Sequence, residues 1–333
     1  MTSLVTGASG HVGANLVRRL LKRGSKVRVI VHEDSRALAG LDVERVRADV
    51  RDARSVLRAV AGARVVYHLA ARITLAPRCD DEALKVNVEG TRHVVAACLE
   101  SGVRRLIHVS SVHALEQRPQ GFSLDEHRPL ALGARELPYD RSKALAEQVV
   151  FDGVARGLDA VIVNPCAVLG PHDYKPSRMG TVLLALARRR LPALVAGGYH
   201  WIDARDLTEA LVEAEKRGRT GERYLVAGPW CSLEDLAALV SETTGMSAPR
   251  LAAPMWLARI CAPPSAAIGR IAGHEPLFSP TSLRVLRVAN PVVCCERARD
   301  ELGLTTRPLA QTVRDTIEWY REQGELDREP RSE

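Results

Sequence analysis

Lysine is scarce. Of the 47 Lys and Arg residues in the 333-residue chain, only six are lysine. That skew reads as genomic base composition rather than as a basic binding tail. The one tight basic run is Arg188-Arg189-Arg190, with no aromatics interleaved. The formal net charge of +7 is otherwise spread along the chain, so no nucleic-acid partner is expected. No uncharged apolar run reaches the roughly 18 residues of a spanning helix. No charged leader precedes an apolar stretch at the start either. A cytoplasmic protein without a membrane span is therefore expected. The seven cysteines are odd in number and none sits in a C-x-x-C pair. The adjacent Cys294 and Cys295 are unsuited to a metal knuckle. Free thiols in a reducing compartment and no metal are the expectation. Aromatics make up only 4% of the chain. Tyr199, Trp201, Trp230, Trp256 and Phe278 fall in the later part, which favours an apolar substrate.

The 46% hydrophobic content is enough for a full core, in one large domain or two that share the length. The first half alternates β-branched runs with helical patterns. Strands are expected at 3–6, 26–31, 43–48, 65–69, 105–110 and 160–164. Several are continuous apolar runs, as in strands covered on both faces. Between the first two, Val12, Leu16 and Leu20 form one stripe of a helix that closes at Gly24. Such alternation predicts a Rossmann-type, doubly wound parallel sheet in an α/β fold. After Pro165 the texture changes, and the strand signal thins to a stretch near 223–226. Helices are expected at 233–244, 255–271, 281–288 and 309–323. The dinucleotide-binding domain is thus assigned to 1–165 and 203–228, and a smaller, mostly helical cap to 166–202 and 229–326. The charged segment 327–333 is expected to fray.

The first strand runs into Thr6-Gly7-Ala8-Ser9-Gly10-His11-Val12-Gly13. Gly7 permits the tight turn, Gly10 lets backbone N–H groups approach a pyrophosphate, and Gly13 lets the helix pack closely. The positive end of that helix faces the phosphates. Ser9, His11 and Val12 complete the loop. A ribose-binding carboxylate is usual at the end of strand two. Here Val31-His32 stands there, with Glu33, Asp34 and Arg36 just after. The missing carboxylate and the nearby Arg36 favour a 2′-phosphate, hence NADP, with NAD as the alternative. Arg36 also reads as a solvated surface residue. Asp49-Val50 at the end of strand three suits the adenine. Leu69-Ala70-Ala71 at the end of strand four leaves room for the cofactor.

Tyr139 and Lys143 lie one helical turn apart in a segment opened by Pro138. A free phenol has a pKa of about 10 and relays protons poorly at neutral pH. An adjacent ammonium is expected to favour the phenolate. The same Lys143 can hold ribose hydroxyls. Ser111, at the end of strand five, can hydrogen-bond a substrate oxygen, with Ser110 as its structural neighbour. His113 reads as a surface histidine rather than a proton relay.

Together these residues resemble the extended short-chain dehydrogenases/reductases, the NAD-dependent epimerase/dehydratase family. The branch is similar to dihydroflavonol reductase-like and hopanoid-associated sugar epimerase-like bacterial proteins. The resemblance rests on the glycine turn, Asn87-Val88-Glu89-Gly90-Thr91, Val109-Ser110-Ser111 and Tyr139-Asp140-Arg141-Ser142-Lys143. It continues through Asn164–Pro171 and Trp201–Asp206. It implies an NAD(P) cofactor and a Ser111/Tyr139/Lys143 triad. It also implies that Asn87 supports the nicotinamide region and that Asn164-Pro165 and Val168 touch the nicotinamide end. A homodimer through helices four and five is implied in the same way. The expected reaction is hydride transfer between nicotinamide and a carbonyl or secondary alcohol of a small organic substrate. A nucleotide-sugar epimerase or dehydratase is the alternative. A non-catalytic NADP sensor fits less well, because such proteins lose the Tyr or the Lys.

Overall fold

The computed structural model describes all residues except 1, 33, 75–79, 120, 192, 250–251, 259, 261–278 and 327–333. Glu33, Phe278, the frayed-tail segment and most of the helix expected at 255–271 lie outside the described residues.

Seven strands form a parallel sheet in the order β10-β6-β5-β4-β1-β2-β3. They are β1 (Thr2–Thr6), β2 (Lys26–Val31), β3 (Glu44–Arg47), β4 (Val65–His68), β5 (Arg105–Val109), β6 (Ala160–Pro165) and β10 (Arg223–Val226). Each expected strand is present, with ends shifted by a residue at most. Alternate side chains feed two cores, because successive residues of a strand point to opposite faces. Val5, Val29, Tyr67, Ile107 and Val163 enter one core, with Leu16 and Leu20 of α1 (His11–Lys22) and Leu207 and Leu211 of α7 (Ala204–Arg217). Leu4, Ile30, Val66, Leu106 and Ile162 enter the other. There they meet α2 (Ala53–Val60), α4 (Gly90–Glu100) and α5 (Pro138–Ala155). This two-sided covering accounts for the continuous apolar runs. Helix α1 ends as expected at Gly24, where φ is +77°. Asp52 caps α2 by accepting from Arg54 N at 3.0 Å. The chain leaves β1 toward β2 and β3, then returns to the other side of β1 as β4. The switch point between β1 and β4 is where such sheets bind ligands.

The later region holds more strand than the sequence suggests. Strands β7 (Ala167–Leu169), β9 (Gly198–Asp203) and β11 (Trp230–Ser232) make a three-stranded sheet, and β8 (Leu194–Val195) and β12 (Ala252–Ala253) pair separately. The expectation of one strand stretch near 223–226 is corrected by these five. They are short and irregular in polarity, and β9 joins β7 across more than thirty residues of chain, Ala167 facing Trp201. Local periodicity carries no trace of that pairing. Helices α6 (Arg178–Ala187), α8 (Leu233–Thr244) and Leu309–Glu322 pack around buried Trp201. A further helix, Pro280–Val288, lies beside them.

Candidate active site

The turn after β1 is built for close approach. Gly7 has φ +68°, in the left-handed region, and a Cβ there would sit 2.7 Å from Ala70 N. Gly10 N donates to Gly7 O at 3.0 Å. A Cβ on Gly13 would come within 2.1 Å of Gly7 O, so α1 starts directly on the turn. Gly10 caps α1 without a side chain, so none competes for the first N–H groups of the helix. A pyrophosphate fits this cradle. Ser9 Oγ donates to Asp34 O at 2.5 Å, linking the turn to the loop after β2. His11 Nε2 lies 3.0 Å from Gly170 O, so its ring ties the turn to the segment after β7. Val12 is half-buried against the core. Across the switch point, Thr6 Oγ1 accepts from Leu69 N and Ala70 N, each at 3.1 Å. Ala71 beyond them is exposed.

The residues expected on the adenosine side are more heavily engaged with one another than the sequence suggests. His32 Nε2 lies 3.2 Å from Asp49 Oδ2, and Arg51 Nε donates to the same oxygen at 2.9 Å. The Arg51 bonds hold the Asp49 carboxyl down at about 2. Arg36 is clamped by Asp34, Nη2 to Oδ2 at 2.7 Å. Val50 is buried against Gly90, where a Cβ would meet its Cγ2 at 2.9 Å.

At the other end of the switch point lies the proposed proton-transfer group. Pro138 opens α5, and Tyr139 and Lys143 follow on one face, one turn apart. The turn that Ser111 caps packs against α5. Ser111 Oγ accepts from His113 N at 3.2 Å, which shapes the turn after β5. Lys143 is buried, and its Nζ donates to Val109 O at 2.9 Å. Burial pulls the lysine down to about 8, while Glu147 works against that. Tyr139 moves opposite to expectation. Burial and then the neighbouring Asp140 push the phenol up, and the Ser111 hydroxyl pulls it down. Removing the phenolate from water is the largest cause. His113 is more than a surface histidine: its Nδ1 lies 3.5 Å from buried Asp140 Oδ1, and its ring stands edge-on to Tyr139 at 6.2 Å.

Asn87 has the job that its local context hides. It sits in a π-helical turn, Lys85–Glu89, just before α4. Its side chain accepts from Arg72 N at 2.7 Å and donates to Arg72 O at 3.0 Å and to Ser142 Oγ at 2.9 Å. It thereby ties the loop after β4 to the helix of Tyr139. Pro165 ends β6 buried, and Val168 lies on β7, half-buried, opposite Ile202. Asp140 and Glu147 carry no role in the sequence reading. Glu147 was within reach, since it continues the Tyr139–Lys143 spacing by one more turn.

Residues 3–227 match the model of the NAD dependent epimerase/dehydratase family. Over 97% of this chain and 99% of its own length, "Sterol demethylase protein B" of Methylococcus capsulatus is 39% identical. A "Putative dihydroflavonol 4-reductase" of Synechocystis is 32% identical over 96% of this chain and 94% of its own. Among solved structures, PA4631, described as a nucleoside-diphosphate-sugar epimerase from Pseudomonas aeruginosa, superposes with a TM-score of 0.79 at 28% identity. That match covers 97% of this chain and 98% of the other. No described helix is long and apolar enough to cross a membrane. With the glycine turn at the switch point and the tyrosine–lysine helix opposite it, the chain belongs to the NAD-dependent epimerase/dehydratase family and is an enzyme of the extended short-chain dehydrogenase/reductase type.

Proposed function

We propose that the enzyme is a reductase or alcohol dehydrogenase. It interconverts a carbonyl and a secondary alcohol on a small, apolar organic substrate. The nicotinamide, when bound, supplies or accepts the hydride. Tyr139 donates its phenolic proton to the carbonyl oxygen in reduction and takes it back in oxidation. Burial keeps the phenol protonated, which is the form that reduction needs. Ser111 hydrogen-bonds the same oxygen and polarises the carbonyl. Lys143 holds the ribose hydroxyls and lowers the cost of the phenolate that remains after transfer. Gly7, Ser9, Gly10, His11, Val12 and Gly13 hold the pyrophosphate, and Asn87, Pro165 and Val168 border the nicotinamide. The observation that carries this reading is that Tyr139 and Lys143 lie one turn apart on α5, with Lys143 Nζ bonded to Val109 O two residues before Ser111.

NADP is the preferred cofactor in this reading. His32 replaces the usual carboxylate, and Arg36 is near enough in sequence to meet a 2′-phosphate once Asp34 yields it. Leu69, Ala70 and Ala71, with Asp49 and Val50, border the adenosine half. The cap over 166–202 and 229–326 receives the substrate. An apolar cleft there is lined by Met179, Val182, Leu194, Tyr199, Leu283 and Leu286. The helix of Leu283 also carries Arg284, which donates to Arg135 O just before Tyr139's helix. The name of the Methylococcus relative, a sterol demethylase protein, is in keeping with an apolar substrate. Association through α4 and α5 into a homodimer completes the reading.

The name of the Pseudomonas structure supports a second reading, an epimerase acting on a nucleotide-linked sugar. One experiment separates the two. The enzyme is incubated with NADPH or NADH and a panel of apolar ketones, then with NAD⁺ or NADP⁺ and nucleotide sugars. Net loss of reduced cofactor with a ketone is expected. An isomerised sugar without net cofactor loss would replace the reductase reading with the epimerase.

A further inference from the structure

Glu147 is a carboxylate with no exposure at all, one helical turn beyond Lys143 on α5. Its Oε1 accepts from Asn164 Nδ2 at 2.6 Å and its Oε2 from Arg223 Nε at 2.7 Å. The same Asn164 amide donates to Ser111 O at 2.9 Å. Two acceptors on one side fix which way that amide points. Arg223 sits on β10, stacked over the Phe151 ring at 4.8 Å. A buried charge is tolerated only when paired and hydrogen-bonded, and Glu147 meets both conditions. Its two oxygens are thus committed to β6 and β10, while its charge lies beside Lys143.

We propose that Glu147 is the positioning residue of the proton-transfer group: it sets a buried negative charge one helical turn from the Lys143 amine, and its bond to Asn164 fixes the Ser111 turn. The inference rests on the Tyr139/Lys143 reading above. The other titratable groups around Lys143 are Tyr139 one turn before it, Arg223 bonded to Glu147, and the histidines His68 of β4 and His108 of β5. Both histidine rings are buried and pushed far below the usual histidine range, so at neutral pH they carry no charge. Asn87 and Ser142, from the packed π-helical turn and α5, are neutral. Glu147 is therefore the counter-charge that opposes the burial of Lys143. An opposite charge within about 4–6 Å shifts a pKa by about one unit or more, and the i,i+4 spacing on α5 brings the two side chains to one face.

The test uses Glu147→Gln combined with Arg223→Met. The Gln side chain keeps an acceptor for Asn164, and the pair of changes leaves no lone buried charge. With six lysines in the chain, the Lys143 side chain can be followed by carbon NMR and assigned by comparison with Lys143→Arg. The expected result is a Lys143 midpoint lower by about one pH unit or more. The pH at which kcat for carbonyl reduction falls moves down with it. Glu147→Asp should restore part of the shift. An unmoved Lys143 midpoint overturns the proposal, even if the variant is slow or less stable at every pH. A shifted midpoint in a protein that reduces no carbonyl would uphold the inference about Lys143 and sink the reductase reading instead.

Discussion

The ammonium of Lys143 donates to the carbonyl oxygen of Val109 at 2.9 Å, so the helix of Tyr139 is pinned to the last residue of β5. That bond places the amine at the sheet edge before any ligand arrives. Lys143→Met keeps the buried stem but removes the charge and the bond. We expect kcat to fall by about 10²-fold or more and cofactor affinity to weaken, because one group serves both proton transfer and ribose binding. Kinetics and cofactor titration check this; unchanged cofactor affinity would remove the ribose role.

The glycine turn makes a sterically sharp prediction. A methyl group at residue 13 would press on Gly7 O at 2.1 Å and Ala8 Cα at 2.7 Å. Backbone atoms cannot give way as a flexible side chain can. Gly13→Ala should therefore weaken NADPH and NADH alike and lower Tm, measured by fluorescence titration and thermal melting. Wild-type affinity in this variant would show that the turn does not cradle the cofactor.

Under the NADP proposal, cofactor choice turns on Asp34 and Arg36. A 2′-phosphate would compete with Asp34 for the Arg36 guanidinium. Arg36→Ala should weaken NADPH by about tenfold and leave NADH nearly unchanged, the scale of one charge-assisted contact. Asp34→Ala should act in the opposite sense on NADPH. Equal effects of Arg36→Ala on the two dinucleotides would rule out the 2′-phosphate role.

Acid should unfold the protein through its buried histidines. His68 is pulled down to about 3 by burial and then by Lys143, and His108 well below its usual range by burial, Lys143 and His68. In the unfolded chain each takes a proton near pH ~6.5. Below that pH the unfolded state binds more protons than the native one, so stability falls as pH falls. The slope is about 1.4 kcal/mol per pH unit for each histidine. Neither ring nitrogen of His108 has a partner among the described residues. His108→Leu should therefore flatten the slope between about pH 6 and pH 5 without loss of stability at neutral pH, as read by denaturant unfolding. An unchanged slope would assign the acid sensitivity to other groups.

The sheet and the glycine turn were legible because their signals are local. A strand, a glycine triplet and an amphipathic stripe occupy adjacent residues, and Tyr139 and Lys143 need only one helical turn. The cap was less legible. Strand β9 finds β7 and β11 through tertiary pairing, and Gly198–Asp203 carries no alternation to announce it. Asn87 could not be read locally either, since its partners Arg72 and Ser142 come from separate elements. The phenol's direction was misjudged because its largest cause is burial, a tertiary property. Glu147 was visible as spacing, but its burial was not.

The central claim is that Tyr139 moves the proton while the glycine turn holds the cofactor, so the two functions should separate. Tyr139→Phe deletes one oxygen and leaves the turn untouched. The most direct test measures carbonyl reduction and NAD(P)H affinity together in this variant. The account predicts turnover lower by about 10²-fold or more with affinity close to wild type. Turnover at the wild-type level, with the cofactor bound, would contradict it.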